Sequence, residues 1–243
     1  MSTQFEEVTA TLRQRILEGT HGPGEKLAEI PLARALAVSR TPVRLALAEL
    51  EKEGLVVQQP RRGFSVRRFS RHDVADAIAV RGLLEGTAAR HLAEAGPGEE
   101  VRRTLEACLA EGRALLAAGT FNTDERQRWV DNNCRFHAAI IDGGGNFALR
   151  TALDQVARLP LASPAAILFD AGDEATLVDR LRAAHEDHQR ITDAVMRGEG
   201  ARAEALMREH AYASRENKLA AFDDRRASPE IRRLPGAELV MAG

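Results

Sequence analysis

The sequence predicts a mostly α-helical chain, in which a short N-terminal unit with one β-hairpin precedes a bundle of six helices. Aromatic residues make up only 4% of the 243 residues, whereas Ala, Leu, Arg and Glu, which suit helices, are abundant. Apolar residues recur at helical spacing through most of the chain, and strand-like runs are confined to residues 55–66.

The N-terminal unit contains three predicted helices and the hairpin. The first helix covers residues 4–18, and the second covers residues 30–36 after the break at 21–24. Ser39 stands at the N-cap position of the third helix, which ends at Gly54. Residues 55–57 and 64–66 form the two strands, joined by a turn at 60–63. Helix, turn, helix and hairpin in this order predict a winged helix-turn-helix.

The remainder of the chain is predicted to be all-α, as in a bundle with a core of its own. Its predicted helices cover residues 73–95, 98–118, 124–142, 146–158, 174–197 and 199–221. We therefore divide the chain into a winged helix-turn-helix domain (1–70), an all-α domain (71–221), to which the resemblance described below assigns effector binding and dimerisation, and a loosely ordered tail (222–243).

Composition and charge narrow the class of protein. Two cysteines exclude a disulfide framework, no stretch approaches the roughly 18 apolar residues of a membrane span, and Glu6 and Glu7 stand where a secretory signal is cationic. We therefore expect a cytoplasmic protein without membrane association. Residues 1–70 carry 11 basic against 8 acidic side chains, and the rest carries 23 against 28. A basic first third suggests a nucleic-acid module, although charge blocks are usually solvated faces.

The third helix is predicted to enter the major groove of double-stranded DNA by its N-terminal end. Arg40 and Arg44 share one helical face and suit guanine, whereas Ser39 and Thr41 suit phosphate oxygens. The alternative is that these arginines are only exposed helix charges. The predicted DNA-binding residues are Arg34, Ser39, Arg40, Thr41, Arg44, and, at the hairpin, Arg61, Arg62 and Gly63.

These residues lie in a pattern that resembles the GntR family of bacterial transcription regulators. The pattern includes Leu32-Ala33, Leu36-Ala-Val-Ser-Arg-Thr-Pro-Val-Arg44, Glu53-Gly-Leu-Val56 and Arg62-Gly63, nearly without gaps over about 60 residues. Ile30 stands where the family often has a DNA-contacting arginine, Ala37 replaces a common glycine, and Leu45 replaces a common glutamate.

A second group of residues predicts a metal site in the bundle. His137, His188 and His210 lie on otherwise apolar helix faces, and Asn133 precedes His137 by one helical turn. Neutral imidazole is a favoured ligand of zinc, and the amide oxygen of Asn133 is a weaker fourth donor. A polar pocket without metal is the alternative.

The helical part resembles the FCD effector-binding domain of the FadR subgroup. Members place an Asp-x-x-x-His pair on one helix and two more histidines about 22 positions apart, which Asn133, His137, His188 and His210 match except for Asn133. The resemblance implies a divalent transition metal, with zinc favoured over nickel or manganese, and a small carboxylate effector. It also places Arg81, four residues before Glu85, near the effector, whereas a structural ion pair is the alternative role.

The hypothesis is a homodimeric repressor that reads a palindromic operator and responds to a small carboxylate. Residues 28–31 and 80–86 resemble regulators of aromatic-acid catabolism, of the vanillate type, which makes an aromatic acid a candidate effector. Two alternatives are a DNA-binding dimer without an effector and a metal-dependent hydrolase fused to a DNA-binding head.

Overall fold

The computed structural model describes residues 4–59, 63–169, 174–223 and 234–240, which form two compact units. The first unit comprises residues 1–74, 158–161 and 232–243, and the second comprises 75–157 and 162–231. The mostly α-helical fold class predicted from sequence is confirmed. None of the described helices is both long and apolar enough to cross a membrane.

The first unit is a helix-turn-helix with a small sheet. Helices α1 (Gln4–Leu17), α2 (Glu29–Ala35) and α3 (Arg40–Lys52) precede the strands β2 (Val56–Gln59) and β3 (Gly63–Val66). A further strand, β1 (Lys26–Leu27), which was not predicted from the sequence, pairs antiparallel with β3 and completes the sheet order β1-β3-β2. Two residues are too short to show an alternating pattern, so only the pairing reveals this strand.

A buried ion-pair network fixes α1 to the end of α3 within this unit. The carboxylate of Glu53 accepts hydrogen bonds from Arg13 Nε at 2.8 Å and from Arg158 Nη1 at 2.8 Å. Leu159 packs on the apolar core that α1, α3 and the sheet share. Residues 158–161 therefore belong to the first unit, although the sequence analysis assigned them to the bundle.

The described parts of the chain beyond residue 222 have regular structure where the sequence predicts a loosely ordered tail, whereas residues 224–233 and 241–243 lie outside the described residues. The last bundle helix continues to Asp223, and residues 237–239 form a 3-10 helix in the first unit. Leu239 is fully buried in that unit's core, and Val240 forms a parallel bridge with Phe69. The apolar pair at 239–240 supplies the burial that orders this segment.

The second unit is built from six helices, within one or two residues of the predicted bounds. They are α4 (Arg71–Ala95), α5 (Glu99–Ala118), α6 (Thr123–Gly143), α7 (Phe147–Ala157), α8 (Glu174–Met196) and α9 (Gly200–Asp223). One core cluster combines Phe136 and Ile140 of α6 with Ile191 of α8 and Met207 of α9. The candidate histidines project from these same three helices.

Two glycines on α4 allow α9 to approach closely. A Cβ atom on Gly82 would lie 2.6 Å from Ala211 Cβ, and one on Gly86 would lie 3.0 Å from the carbonyl oxygen of Glu204. Both distances are shorter than normal carbon contacts, so only glycine fits without displacement. This packing brings the polar face of α4 next to the histidines.

Candidate functional site

The predicted DNA-reading residues of the first unit form an exposed face on α2 and α3. Val43, Leu47 and Leu50 of α3 are buried, so the opposite face, with Arg40, Thr41 and Arg44, is exposed. Arg34 of α2 and the N-cap residue Ser39 are also exposed, and the Ser39 side chain makes no capping hydrogen bond. These side chains are therefore accessible to a partner, and their contacts with DNA stay predictions.

Two large apolar side chains share this face with the arginines. Ile30 is 57% exposed and Leu45 is 50% exposed, and both line the same surface concavity as Arg40 and Arg44. Arg40 also forms a 3.1 Å ion pair with Glu29. Exposed apolar groups of this size commonly mark interaction surfaces, and here they coincide with departures from the family pattern.

The hairpin places Gly63 opposite Gln59 at the start of β3. Gly63 is exposed and has φ of +80°, a left-handed conformation that favours glycine. Arg61 and Arg62, which the sequence predicts at the hairpin tip, lie outside the described residues.

The second unit brings the three predicted histidines together. One ring nitrogen each of His137, His188 and His210 lies within 4.8 Å of the others, and all three side chains are buried. The ring of Phe136 stacks on that of His188, with centroids 3.8 Å apart, and restricts its orientation. Helices α6, α8 and α9 thus converge on one point.

The donor chemistry of this cluster fits a divalent transition metal. His188 Nε2 is buried without a hydrogen-bond partner, which is costly unless another group satisfies it. Burial, with charge on the neighbouring histidines, holds the pKa of His188 well below its usual range. Burial also lowers the pKa of His210, against the opposing effect of its hydrogen bond with Asp187. Neutral imidazoles are the protonation state that ligates metal.

Two carboxylates stand behind the histidines. Asp187 Oδ2 lies 3.3 Å from His210 Nδ1 in a hydrogen bond, and Glu85 Oε2 lies 3.2 Å from His137 Nδ1 without hydrogen-bond alignment. Burial would raise the pKa of Glu85, but charge on His137 and Arg81 outweighs it and lowers the pKa to about 2. Carboxylates in this position orient metal-binding histidines and increase their basicity.

Asn133 lies beside the cluster in the wall of a cavity. Its Nδ2 donates to the carbonyl oxygen of Pro164 at 2.9 Å, so the amide orientation leaves Oδ1 as the remaining acceptor. Whether that oxygen ligates a metal stays a prediction. The neighbouring Cys134 is half-buried, and burial raises the pKa of its thiol, which disfavours the thiolate needed for a ligand.

The cavity has a volume of about 290 Å³ and combines a polar floor with an apolar wall. Its polar groups include those of His137, His210, Arg81 and Lys218, and Trp129 belongs to the apolar wall. The Nε of Arg81 lies 3.6 Å from Glu85 Oε2, as in the structural ion pair, and its side chain also lines the cavity. Contact of Arg81 with an effector stays a prediction. Arg81 Nη1 also donates to the carbonyl oxygen of Ala162 at 2.6 Å. Sequence reasoning missed Lys218.

Comparison with known proteins assigns both units. Residues 4–66 match the model for bacterial regulatory proteins of the gntR family, and residues 76–213 match the FCD domain. LutR, an HTH-type transcriptional regulator of Bacillus subtilis, is 31% identical over 80% of this chain and 92% of its own. The HTH-type transcriptional repressor GlaR of Escherichia coli is 28% identical over 82% of this chain and 88% of its own. YdhC of B. subtilis, 33% identical, matches over 60% of this chain and only 62% of its own length.

Solved structures show the same fold. The structure described as E. coli McbR/YncC has a TM-score of 0.60 at 20% identity and covers 92% of this chain and 99% of its own. A putative GntR regulator from Rhodococcus sp. RHA1 has a TM-score of 0.58 at 21% identity, covering 90% and 99%. With a winged helix-turn-helix matched over residues 4–66 and an FCD domain over 76–213, the chain belongs to the GntR family and is a DNA-binding transcriptional regulator.

Proposed function

We propose that this regulator is a dimeric repressor that leaves a palindromic operator when a small carboxylate binds at a metal site in the FCD domain. The convergence of three buried imidazoles, two of which line a cavity together with Arg81, carries the proposal. Repressors occur among the relatives, since GlaR is described as one.

His137, His188 and His210 would hold the metal, with Asn133 as a further oxygen donor. A site with three imidazole nitrogens and few other ligands favours zinc, with nickel or manganese as alternatives. When bound, such a dication supplies an open coordination position and a positive charge for an anionic oxygen. The protein's own residues fix the rings, through Phe136 and the two carboxylates, and hold the cavity walls in place.

The cavity suits a small acid with an apolar body. A volume of about 290 Å³ is near the lower end of ligand pockets. Arg81 and the histidine end of the cavity would attract the carboxylate of the acid. Trp129 and the neighbouring apolar wall would contact the apolar body of the acid. An aromatic acid is compatible with this wall and belongs in the test panel.

DNA reading requires two copies of the chain, because one winged helix contacts only a few base pairs. The FCD unit offers Val80 and Leu83 for this association, since both are apolar, about half-exposed and three residues apart on α4. Effector binding would favour a state of the dimer with lower operator affinity.

The chain's own upstream DNA is the first operator candidate, and fluorescence anisotropy at physiological salt measures binding. Arg44→Ala should weaken specific binding by about 1–3 kcal/mol, whereas Lys52→Ala, an exposed cation at the other end of α3, should leave it unchanged. Equal losses in both variants, or no specific binding by the parent, would contradict the DNA-reading assignment.

Metal and effector are tested in the same protein. His188→Ala should lose metal on dialysis, by elemental analysis, whereas His91→Ala, outside the cluster, should retain it. A panel of aliphatic and aromatic carboxylates should then raise the unfolding temperature of the metal-loaded parent and release DNA. If carboxylates stabilise the protein without releasing DNA, the repressor mechanism is wrong. If they are turned over, the hydrolase alternative gains support.

A further inference from the structure

Lys218 is a buried cation that the metal site does not use. The residue is 5% exposed, lines the cavity, and donates from Nζ to Ser214 Oγ at 3.0 Å. Within the described ranges, no carboxylate lies within ion-pair distance of this ammonium. An ammonium has three donors, so two remain for another acceptor. Lysines are almost never buried to this extent without a charged partner.

The surroundings do not compensate this charge. Burial and the nearby charge of Arg81 lower the pKa of Lys218 to about 7, against the opposing effect of Glu85. The ammonium form of Lys218 is therefore disfavoured in the folded protein as long as it has no anionic partner. A bound anion would supply the missing partner, and a cavity wall is where a ligand can reach it.

The position of Lys218 on α9 sets the distance to the histidine cluster. His210, Ser214 and Lys218 are spaced four residues apart, so they follow one face of the helix. Because Nζ reaches back to Ser214, the ammonium lies about one helical turn, ~6 Å of axial rise, from His210. Lys218 also lies outside residues 76–213, the region matched by the FCD model.

We propose that Lys218 and Ser214 form a second anion subsite in the cavity, so that the effector is a short dicarboxylate bound at both ends. This inference rests on the proposed function, because one carboxylate would bind at the histidine cluster. The second carboxylate accepts from Lys218 Nζ and Ser214 Oγ, with the positive charge of Arg81 nearby. The apolar wall contacts the carbon chain between them.

The test is calorimetry of the metal-loaded protein with length-matched acids: succinate against butyrate, and adipate against hexanoate. We expect the better dicarboxylate to bind at least about tenfold more tightly than its monocarboxylate, as for one added charge-assisted contact of about 1.4 kcal/mol. Lys218→Met keeps the side-chain length and removes the charge. It should reduce the preference to less than about twofold while butyrate or hexanoate still binds.

Control variants keep the result interpretable. Arg180→Met removes another cavity-lining cation and should keep the dicarboxylate preference. Ser214→Ala should lower it partially and serves if Lys218→Met fails to fold. A parent that binds both acids of a pair equally, or a folded Lys218→Met that keeps the preference, overturns the second subsite and leaves the proposed function standing. If neither class binds while metal is retained, the proposed carboxylate function fails as well.

Discussion

Replacing Asn133 by aspartate separates its structural role from its role as a ligand. In the metal-free protein, Asn133→Asp removes the 2.9 Å hydrogen bond from Nδ2 to the Pro164 carbonyl and places an acceptor against an acceptor. The lost bond and the unsatisfied carbonyl cost about 1–3 kcal/mol. For a domain of this size, each kcal/mol lowers the unfolding temperature by about 2–4 °C.

Zinc should reverse part of this loss if the side-chain oxygen is a ligand. An ionised carboxylate binds a dication more strongly than an amide does, and each tenfold gain in affinity adds about 1.4 kcal/mol at saturating metal. Without zinc, the unfolding temperature of Asn133→Asp should therefore lie well below that of the parent. With zinc, the two unfolding temperatures should be closer together. The added negative charge should also weaken binding of a carboxylate effector.

Asn132→Asp is the matched control. Asn132 is buried on the same helix, and its Nδ2 donates to the carbonyl of Cys108 at 3.1 Å, so the same chemical change removes an equivalent bond. Its deficit should be independent of zinc. Differential scanning fluorimetry with and without zinc, and calorimetry for the effector, measure both variants. If Asn133→Asp shows the same deficit with and without zinc, its oxygen is not a ligand.

Three further changes test the buried histidines, a strained backbone position and the contact between two helices. Burial lowers the pKa values of His188 and His210, so the unfolded chain binds more protons than the folded protein below pH 6.5. The free energy of unfolding of the metal-free protein should therefore fall by up to about 1.4 kcal/mol per histidine between pH 7.5 and 5.5. Chemical denaturation measures this change, and a free energy that does not vary with pH would contradict the reasoning. Ala37→Gly relieves a residue with φ of 54° and should add about 1 kcal/mol to unfolding free energy, which a lower denaturation midpoint would refute. Gly82→Ala places Cβ 2.6 Å from Ala211 Cβ and should cost about 1–3 kcal/mol, and an unchanged midpoint would show that α9 moves aside.

Long periodic segments made most of the fold predictable. Each bundle helix carries several turns of apolar spacing, and caps such as Asn122, which accepts from the backbone at Glu125, mark the ends. Short segments lack this redundancy. The strand at 26–27, the buried Leu239 and the bridge at Val240 depend on partners far away in sequence, which no local pattern shows.

The candidate site also combines features that were predictable from local patterns with features that depend on distant contacts. The convergence of the three histidines followed from apolar faces and the resemblance, because each ring continues a buried stripe. The short distance between Glu85 of α4 and His137 of α6 was not predictable from the sequence. It depends on how closely α4 packs in the bundle, where two of its glycines allow α9 to approach. Lys218 had a signal that was not used: it lies four and eight residues after Ser214 and His210, on the face that the histidine defines.

The charges of the cavity explain why effector and metal binding should be coupled. Without metal, the positive charges of Arg81 and protonated Lys218 are opposed by the negative charges of Glu85 and Asp187, so these four groups nearly cancel. His188 and His210, whose pKa values are lowered by burial, add little. A dication at the histidines shifts this balance to about two positive charges, which matches an anion with two carboxylates. Coupling between binding sites is reciprocal, so the effector that gains affinity from the metal must tighten metal binding by the same factor.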